Sequence, residues 1–304
     1  MNLQEISAFV TLAEELHFTR TAERLGIGQP QVSQLIRRFE KECGDTLIER
    51  TTRSVSLTTL GQAVLPHAQR ALQEMRLIRR SGRLGSADII GSVRIGYAGA
   101  SSRPWLPAIA RVVRHEAPGV DLQLRSMVYG ATGPGLIVCG DLDIAFSRRP
   151  LVHSGLLDQV FEYEEILIGV PSDHHLAGRS EVHMQELKEE PWVTFPGMQG
   201  SNVRDVGMRL AADAGFAPRV VQEAPDSYTI LGLVAAGVGV TVTVSSVRHV
   251  STPGLRLIPL AGEPRYMAST IVWSPQASRA TQAVLEAITQ VKPPPEHPVG
   301  IVMD

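Results

Sequence analysis

Residues 18–39, FTRTAERLGIGQPQVSQLIRRF, hold the pattern that most restricts the fold. A short helix opening near Thr19, a good N-cap residue, ends at Leu25-Gly26, where glycine permits a left-handed exit. Gln29-Pro30 restarts a helix, because proline is tolerated at the first helical position, where its missing N–H has no partner to lose. The restarted helix buries Val32, Leu35, Ile36 and Phe39 and leaves Gln29, Gln31, Ser33, Gln34, Arg37 and Arg38 outside. Ala22 is small enough for two helices to cross closely. Helix, short glycine turn, helix is the spacing whose second member enters a DNA major groove by its N-terminal end. Gln amides suit adenine edges there, and a Ser hydroxyl or the Pro30 ring can meet a base edge or a thymine methyl.

The flanks extend this reading. Leu3, Ile6, Phe9, Val10, Ala13 and Leu16 recur at helical spacing ahead of it. LIERTTRSVSLT at 47–58 alternates apolar and polar residues and reads as a two-stranded wing, with Arg50 and Arg53 placed for phosphate or minor-groove contact. Residues 58–80 read as one long helix with a local kink at Pro66, and Val64, Ala68, Ala71, Met75 and Ile78 form a narrow seam. Such a seam predicts dimerisation, which matches a two-fold DNA site. SGRLGSADIIGS at 81–92 reads as a hinge. From His17 to Arg83 there are twelve Arg or Lys against six acidic residues; with a net charge of −2 for the chain, the remainder carries −8. A basic end on an acidic body suits a polyanion partner.

The chain has 304 residues, enough for two or three domains. No run of 18 apolar residues predicts a membrane span, and MNLQEISAFV does not read as a secretory leader. Cys43 and Cys139, far apart, predict neither a disulfide framework nor a metal cluster and fit a reducing cytoplasm.

From 92 to 292 strands alternate with helices. Strands are predicted at 93–98, 120–127, 142–146, 165–170, 191–195, 239–244 and 268–273, and helices at 104–115, 201–215, 226–236 and 275–291. This predicts an open α/β sheet, whose ligands sit at strand carboxyl ends near helix N-termini. GASSRP at 99–104, FPGMQGSN at 195–202 and PDSYT at 225–229 fit that rule. Candidate ligand residues are therefore Gly99, Ala100, Ser101, Ser102, Phe195, Ser201, Asn202 and Asp226, with Phe146 at a strand end and Tyr129 and Thr132 in the glycine-rich 127–136 segment.

FTRTAERLGIGQPQVSQLIRRFEKECGDTLIERTTRSVSLTTLG closely resembles the N-terminal signature of LysR-type transcriptional regulators. The resemblance continues through VRIGYAG at 93–99, DLDIAFSRRP at 141–150 and ILGLVAAGVGV at 230–240, and ends near Lys292. It implies a winged helix-turn-helix over 1–58 and a dimerising linker helix and hinge over 59–91. It also implies a regulatory domain over 92–304 shaped like a periplasmic solute-binding protein, with lobe I at 92–162 and 268–292 and lobe II at 163–267. By that resemblance Gln29, Pro30 and Ser33 read bases, Arg53 reaches the minor groove, and Thr19, Thr21 and Arg37 touch phosphates. Gln34 stands where members of the family often carry Arg. The implied partners are promoter DNA, further copies of the chain as a dimer or tetramer, RNA polymerase, and a small-molecule effector, organic acids first among the candidates. No cofactor is expected.

Other chemistry finds little footing. His174-His175 has no further ligand at a usable spacing, and AAGVGV at 235–240 follows a helix rather than a strand, so no dinucleotide loop is predicted. No nucleophile triad or carboxylate pair stands in a recognisable context. The alternative class is an α/β solute binder or enzyme with an added helical domain, which has no use for the Gln-Pro helix, wing and seam.

Overall fold

A computed structural model describes residues 2–50, 55–81, 89–151 and 153–303. The chain divides into two units, Met1–Ser86 and Ala87–Asp304.

In the first unit, α1 (Leu3–Glu15) opens with a capping box in which Asn2 and Glu5 bond each other's backbone N–H. α2 (Phe18–Leu25) follows, then α3 (Gln29–Cys43). Phe9, Leu12, Ala22, Val32, Ile36, Phe39 and Leu47 form their shared core, with the rings of Phe9 and Phe39 5.2 Å apart. The cap of α2 is His17, not Thr19: its Nδ1 accepts from the Arg20 N–H at 3.4 Å. Gly26 carries the left-handed exit, at φ 67°.

The wing is β1 (Ile48–Arg50) antiparallel to β2 (Val55–Leu57), rooted by Glu40, whose Oε1 accepts from the Leu47 and Ile48 amides at 3.0 and 3.2 Å. α4 (Thr59–Ser81) runs through Pro66 without a break. Its seam is only partly available to a partner. Ala68 is buried in the core of its own unit and Val64 packs against that core, while Ala71 and Met75 stay half-buried. The side chain of Ile78, and all of Arg53, lie outside the described residues. α4 crosses the wing root closely enough that a Cβ on Gly61 would meet the Leu47 carbonyl oxygen at 2.1 Å. Gly61→Ala is therefore expected to destabilise this unit by about 2–3 kcal/mol. An unchanged helical melting transition would contradict that contact.

The second unit is built on one eight-stranded sheet, ordered β10 (Leu255–Pro259), β6 (Leu157–Pro171), β11 (Arg265–Trp273), β5 (Ile144–Arg148), β3 (Gly91–Gly96) and β4 (Val120–Arg125), with β12 (Ile301–Val302) beside β11 and β9 (Thr241–Val244) beside β6. β3, β4 and β5 are parallel, while β6 and β11 are antiparallel to each other. β6 serves both lobes: Leu157–Glu165 pairs β11, and Ile166–Pro171 lies between β9 and β10. β7 (Pro191–Thr194) and β8 (Arg219–Glu223) form a separate parallel pair.

Lobe I packs α6 (Leu106–Glu116) and α10 (Arg279–Val291) on Val93, Ile95, Ile144, Phe161 and Ile271; α5 (Gly99–Ser102) and α7 (Gly133–Val138) are its short helices. Lobe II packs α8 (Asn202–Asp213) on Ile168, Trp192 and Val242, with α9 (Ser227–Ala235) covering Val193 and Ala224. α7 begins inside the glycine-rich 127–136 segment. β8 and β10 escape the sequence pattern because they are short and half-exposed, so no clean alternation marks them. The tail beyond Lys292 is ordered: β12 (Ile301–Val302) pairs parallel with Arg265 and Tyr266, and Met303 packs on the lobe II core. No described helix is long and apolar enough to cross a membrane.

Candidate functional site

The first candidate surface is the amino end of α3. Gly28, extended at φ −73° and ψ 146°, places no side-chain cap over the first amides. Gln29, Pro30 and Gln31 occupy the exposed first turn, and Gln34, Arg37 and Arg38 extend the same exposed surface; Ser33 is half-buried. Pro30 stands one place inside the predicted first position, where a missing N–H still costs no helical bond. Arg37 and Arg38 have no ion pair among the described residues, so their charge is available to an anion. Thr19 is exposed on the first turn of α2. Thr21 is not available: it is fully buried, and its hydroxyl donates to the His17 carbonyl at 2.9 Å, so the expectation of a phosphate contact fails there. Arg50 is exposed on β1 with its guanidinium 4.4 Å from the centre of the Phe18 ring, which braces the wing arginine over α2.

The second is a cleft in the Ala87–Asp304 unit. Gly99, Ala100, Ser101, Tyr129, Phe195, Ser201 and Asn202 all line it. They meet there because the ends of β3, β4 and β7 feed loops toward the openings of α5 and α8. Four other expected liners point elsewhere. Ser102 is buried with its hydroxyl on the Ala98 carbonyl, at 3.1 Å. Phe146 sits in the lobe I core, edge-on to Phe161 at 5.1 Å. Asp226 caps α9, holding the Thr229 N–H and hydroxyl at 3.0 and 2.8 Å. Thr132 likewise turns its hydroxyl to the Tyr129 carbonyl.

The charged centre of the cleft escaped the sequence reading. Arg148, at the end of β5, donates through Nε and Nη2 to Glu164 Oε2 at 3.1 and 2.6 Å and through Nη2 to Ser101 Oγ at 2.6 Å. Glu164 is fully buried in the middle of β6, and its other oxygen, Oε1, has no partner among the described residues. Ser101 also meets Ser246 across the lobes, at 3.1 Å. The only advance signal was RRP closing the DLDIAFSRRP segment, which put a basic residue at a strand's carboxyl end.

The lobes close on one another here. Tyr129 donates its hydroxyl to the Pro225 carbonyl, and the Ala131 N–H reaches the Gly200 carbonyl at 3.3 Å. Burial, then the nearby Asp226 charge, pushes the Tyr129 phenol above its ordinary value, so it remains a donor at neutral pH. The cleft's cavity volume is about 40 Å³, room for about three waters. Asn202 Oδ1 is buried there without a hydrogen-bond partner among the described residues.

The cysteines stand apart from both surfaces. Cys139 is exposed, whereas burial, then Glu42 and Glu40, pushes the half-buried Cys43 thiol up. Ellman's reagent at pH 7 is therefore expected to label Cys139 at least about tenfold faster than Cys43; equal rates would contradict the burial of Cys43.

Comparison with known proteins adds an independent line. Residues 3–62 match the model of the bacterial regulatory helix-turn-helix protein, lysR family, and residues 86–293 match the LysR substrate binding domain. The HTH-type transcriptional regulator ShiR of Corynebacterium glutamicum is 35% identical over 295 residues, 97% of this chain and 100% of that protein. AlsR of Bacillus subtilis, another HTH-type transcriptional regulator, is 33% identical over 252 residues, 82% of each chain. The crystal structure of CbnR, a LysR family transcriptional regulator, superposes with a TM-score of 0.77 at 20% identity, covering 96% of this chain and 99% of that one. CbnR complexed with its target DNA superposes equally well, covering 96% of this chain and all of that one.

Proposed function

The chain belongs to the LysR family of helix-turn-helix transcriptional regulators, and on that premise we propose that it reads a promoter through Gln29, Pro30, Gln31, Ser33 and Gln34 and answers to a small molecule held in its cleft. The carrying observation is the first turn of α3: polar, uncapped, exposed, and backed by an apolar face that packs into the unit's core. Side chains at that end reach base edges, while Arg37, Arg38, Arg50, Arg53 and Thr19 meet phosphates or the minor groove. That CbnR was crystallised on its target DNA supports this reading of the shared fold.

Ala71 and Met75 are the described part of the linker seam left for a second copy, so the working form is a dimer, or a tetramer of paired dimers, on a two-fold site. Promoter occupancy places the protein in the cytoplasm and beside RNA polymerase.

At about 40 Å³ the cleft is too small for a metabolite, so an effector binds by parting the lobes about β6 and β11. The cleft's fixed charges already cancel, since Glu164 neutralises Arg148. An incoming ligand therefore relies on hydroxyls, on Asn202 and on the amide end of α8, a set that suits a small hydroxylated or singly anionic molecule such as an organic acid. Ligand binding shifts the population of open and closed lobes and, through it, the spacing of the paired DNA-binding units. Salt titration tests the DNA half of the proposal. Affinity for duplex DNA is expected to fall by roughly 10³-fold or more between 50 and 200 mM salt, as about six or more phosphate contacts release counterions. A flat salt response would exclude it.

A further inference from the structure

The fold supplies what the sequence spacing of His174-His175 lacked, a third ligand. Glu190, placed just before β7, receives both imidazoles: His174 Nε2 lies 3.2 Å from its Oε2 and His175 Nε2 lies 3.8 Å from its Oε1. The two rings lie 4.4 Å apart, inclined at 35°, and one ligand atom from each of the three residues falls within 4.8 Å of the others. We propose that His174, His175 and Glu190 bind a borderline transition-metal ion, Zn²⁺ first among them, on lobe II.

Metal–ligand bonds of about 2.0–2.2 Å in a tetrahedron set neighbouring ligand atoms about 3.4 Å apart. The two imidazoles stand 3.2 and 3.8 Å from the two Glu190 oxygens, and three ligand atoms, one per residue, already lie within 4.8 Å of one another, so side-chain rotations that draw them together complete the site. Two imidazoles and one carboxylate suit Zn²⁺, Cu²⁺ or Ni²⁺, whereas Mg²⁺ and Ca²⁺ prefer all-oxygen shells.

The ligands stand on braced backbone. The His174 N–H donates to Pro171 O at 3.1 Å and the Ala177 N–H to His174 O at 2.8 Å, which closes the turn after β6. The Ser172 N–H donates to Gly254 O at 2.8 Å, and the Glu190 N–H to Leu187 O at 3.2 Å. The His174 and Glu190 side chains are only 15% and 19% exposed, while His175 at 65% forms the open rim, so an ion enters from solvent and keeps water as its fourth ligand. Without metal, the Leu176 N–H donates to His174 Nδ1 at 3.3 Å, which places that ring's proton on Nε2, toward Glu190. Metal at Nε2 takes that position, the proton moves to Nδ1, and the long Leu176 bond is given up.

The proposal is independent of the DNA-reading surface, and its test uses the full chain freed of any affinity tag and titrated with ZnCl₂. Calorimetry is expected to show one high-affinity equivalent, with Kd at or below about 1 μM. His175→Gln and Glu190→Gln should each weaken it at least about tenfold. The zinc-induced rise in unfolding temperature should vanish in both. His175 is at the surface, so the His175→Gln variant keeps its fold. Absence of saturable binding, or unchanged affinity in either variant, overturns the site.

Discussion

Glu164→Ala is expected to cost the regulatory unit about 3 kcal/mol, because it strands the Arg148 guanidinium in a largely buried setting. The loss sits at the low end for a broken buried pair, since the cleft lets some water reach Arg148. Ser101 would lose its fixed partner as well, and the Ser101–Ser246 contact between lobes would loosen. Replacing both members, Arg148→Met with Glu164→Leu, is expected to recover most of the stability, because no buried charge is then left unpaired. All three tryptophans, Trp105, Trp192 and Trp273, lie in this unit, so their fluorescence in a urea titration of the full chain follows it separately from the DNA-binding unit. A single variant as stable as the parent would contradict the pairing.

Gln29→Ala is expected to weaken binding to the chain's own promoter by about 1–3 kcal/mol and leave binding to random duplex nearly unchanged. The side chain stands exposed on the first helical residue of α3 and supports nothing in the core, so the fold survives its removal. Arg37→Ala should behave oppositely, lowering affinity for both duplexes alike and reducing the salt slope by about one unit. Competition binding at two salt concentrations separates them. Equal losses on promoter and random DNA for Gln29→Ala would remove its base-reading role.

The DNA-binding unit was legible because its signals are local. Gly26, Gln29-Pro30 and the Val32, Leu35, Ile36, Phe39 spacing all fall within one turn-and-helix stretch, so few other structures satisfy them. Its errors were local too: His17 outcompetes Thr19 for the cap because the chain leaves α1 through a left-handed Leu16 at φ 47°, which starts α2 earlier. The α4 seam was legible only in part. Steps of three and four residues look the same whether a helix packs on its own unit or on a second copy, and Val64 and Ala68 proved to do the former.

In the cleft the legible part was the loops, where small polar residues follow strands. The Arg148–Glu164–Ser101 cluster was hidden because it joins three elements through pairings 16 and 47 residues apart in sequence. Four successive residues of β5 are buried, Ile144 to Ser147, so no alternation told which face Phe146 would take. Ser101 and Ser102 are neighbours, yet the bond from Ser102 to Ala98 turns one inward and leaves the other on the cleft wall. Glu190 could join His174 and His175 only after the segment between β6 and β7 folded back.

The most direct test is selection of bound sequences from a random duplex library by the full chain at near-physiological salt. The account predicts enrichment of a narrow two-fold motif, with half-sites about one helical turn apart or a multiple of it, and loss of that enrichment in Gln29→Ala. Recovery of the library with no preferred sequence, at any ionic strength and with any metabolite added, would contradict it.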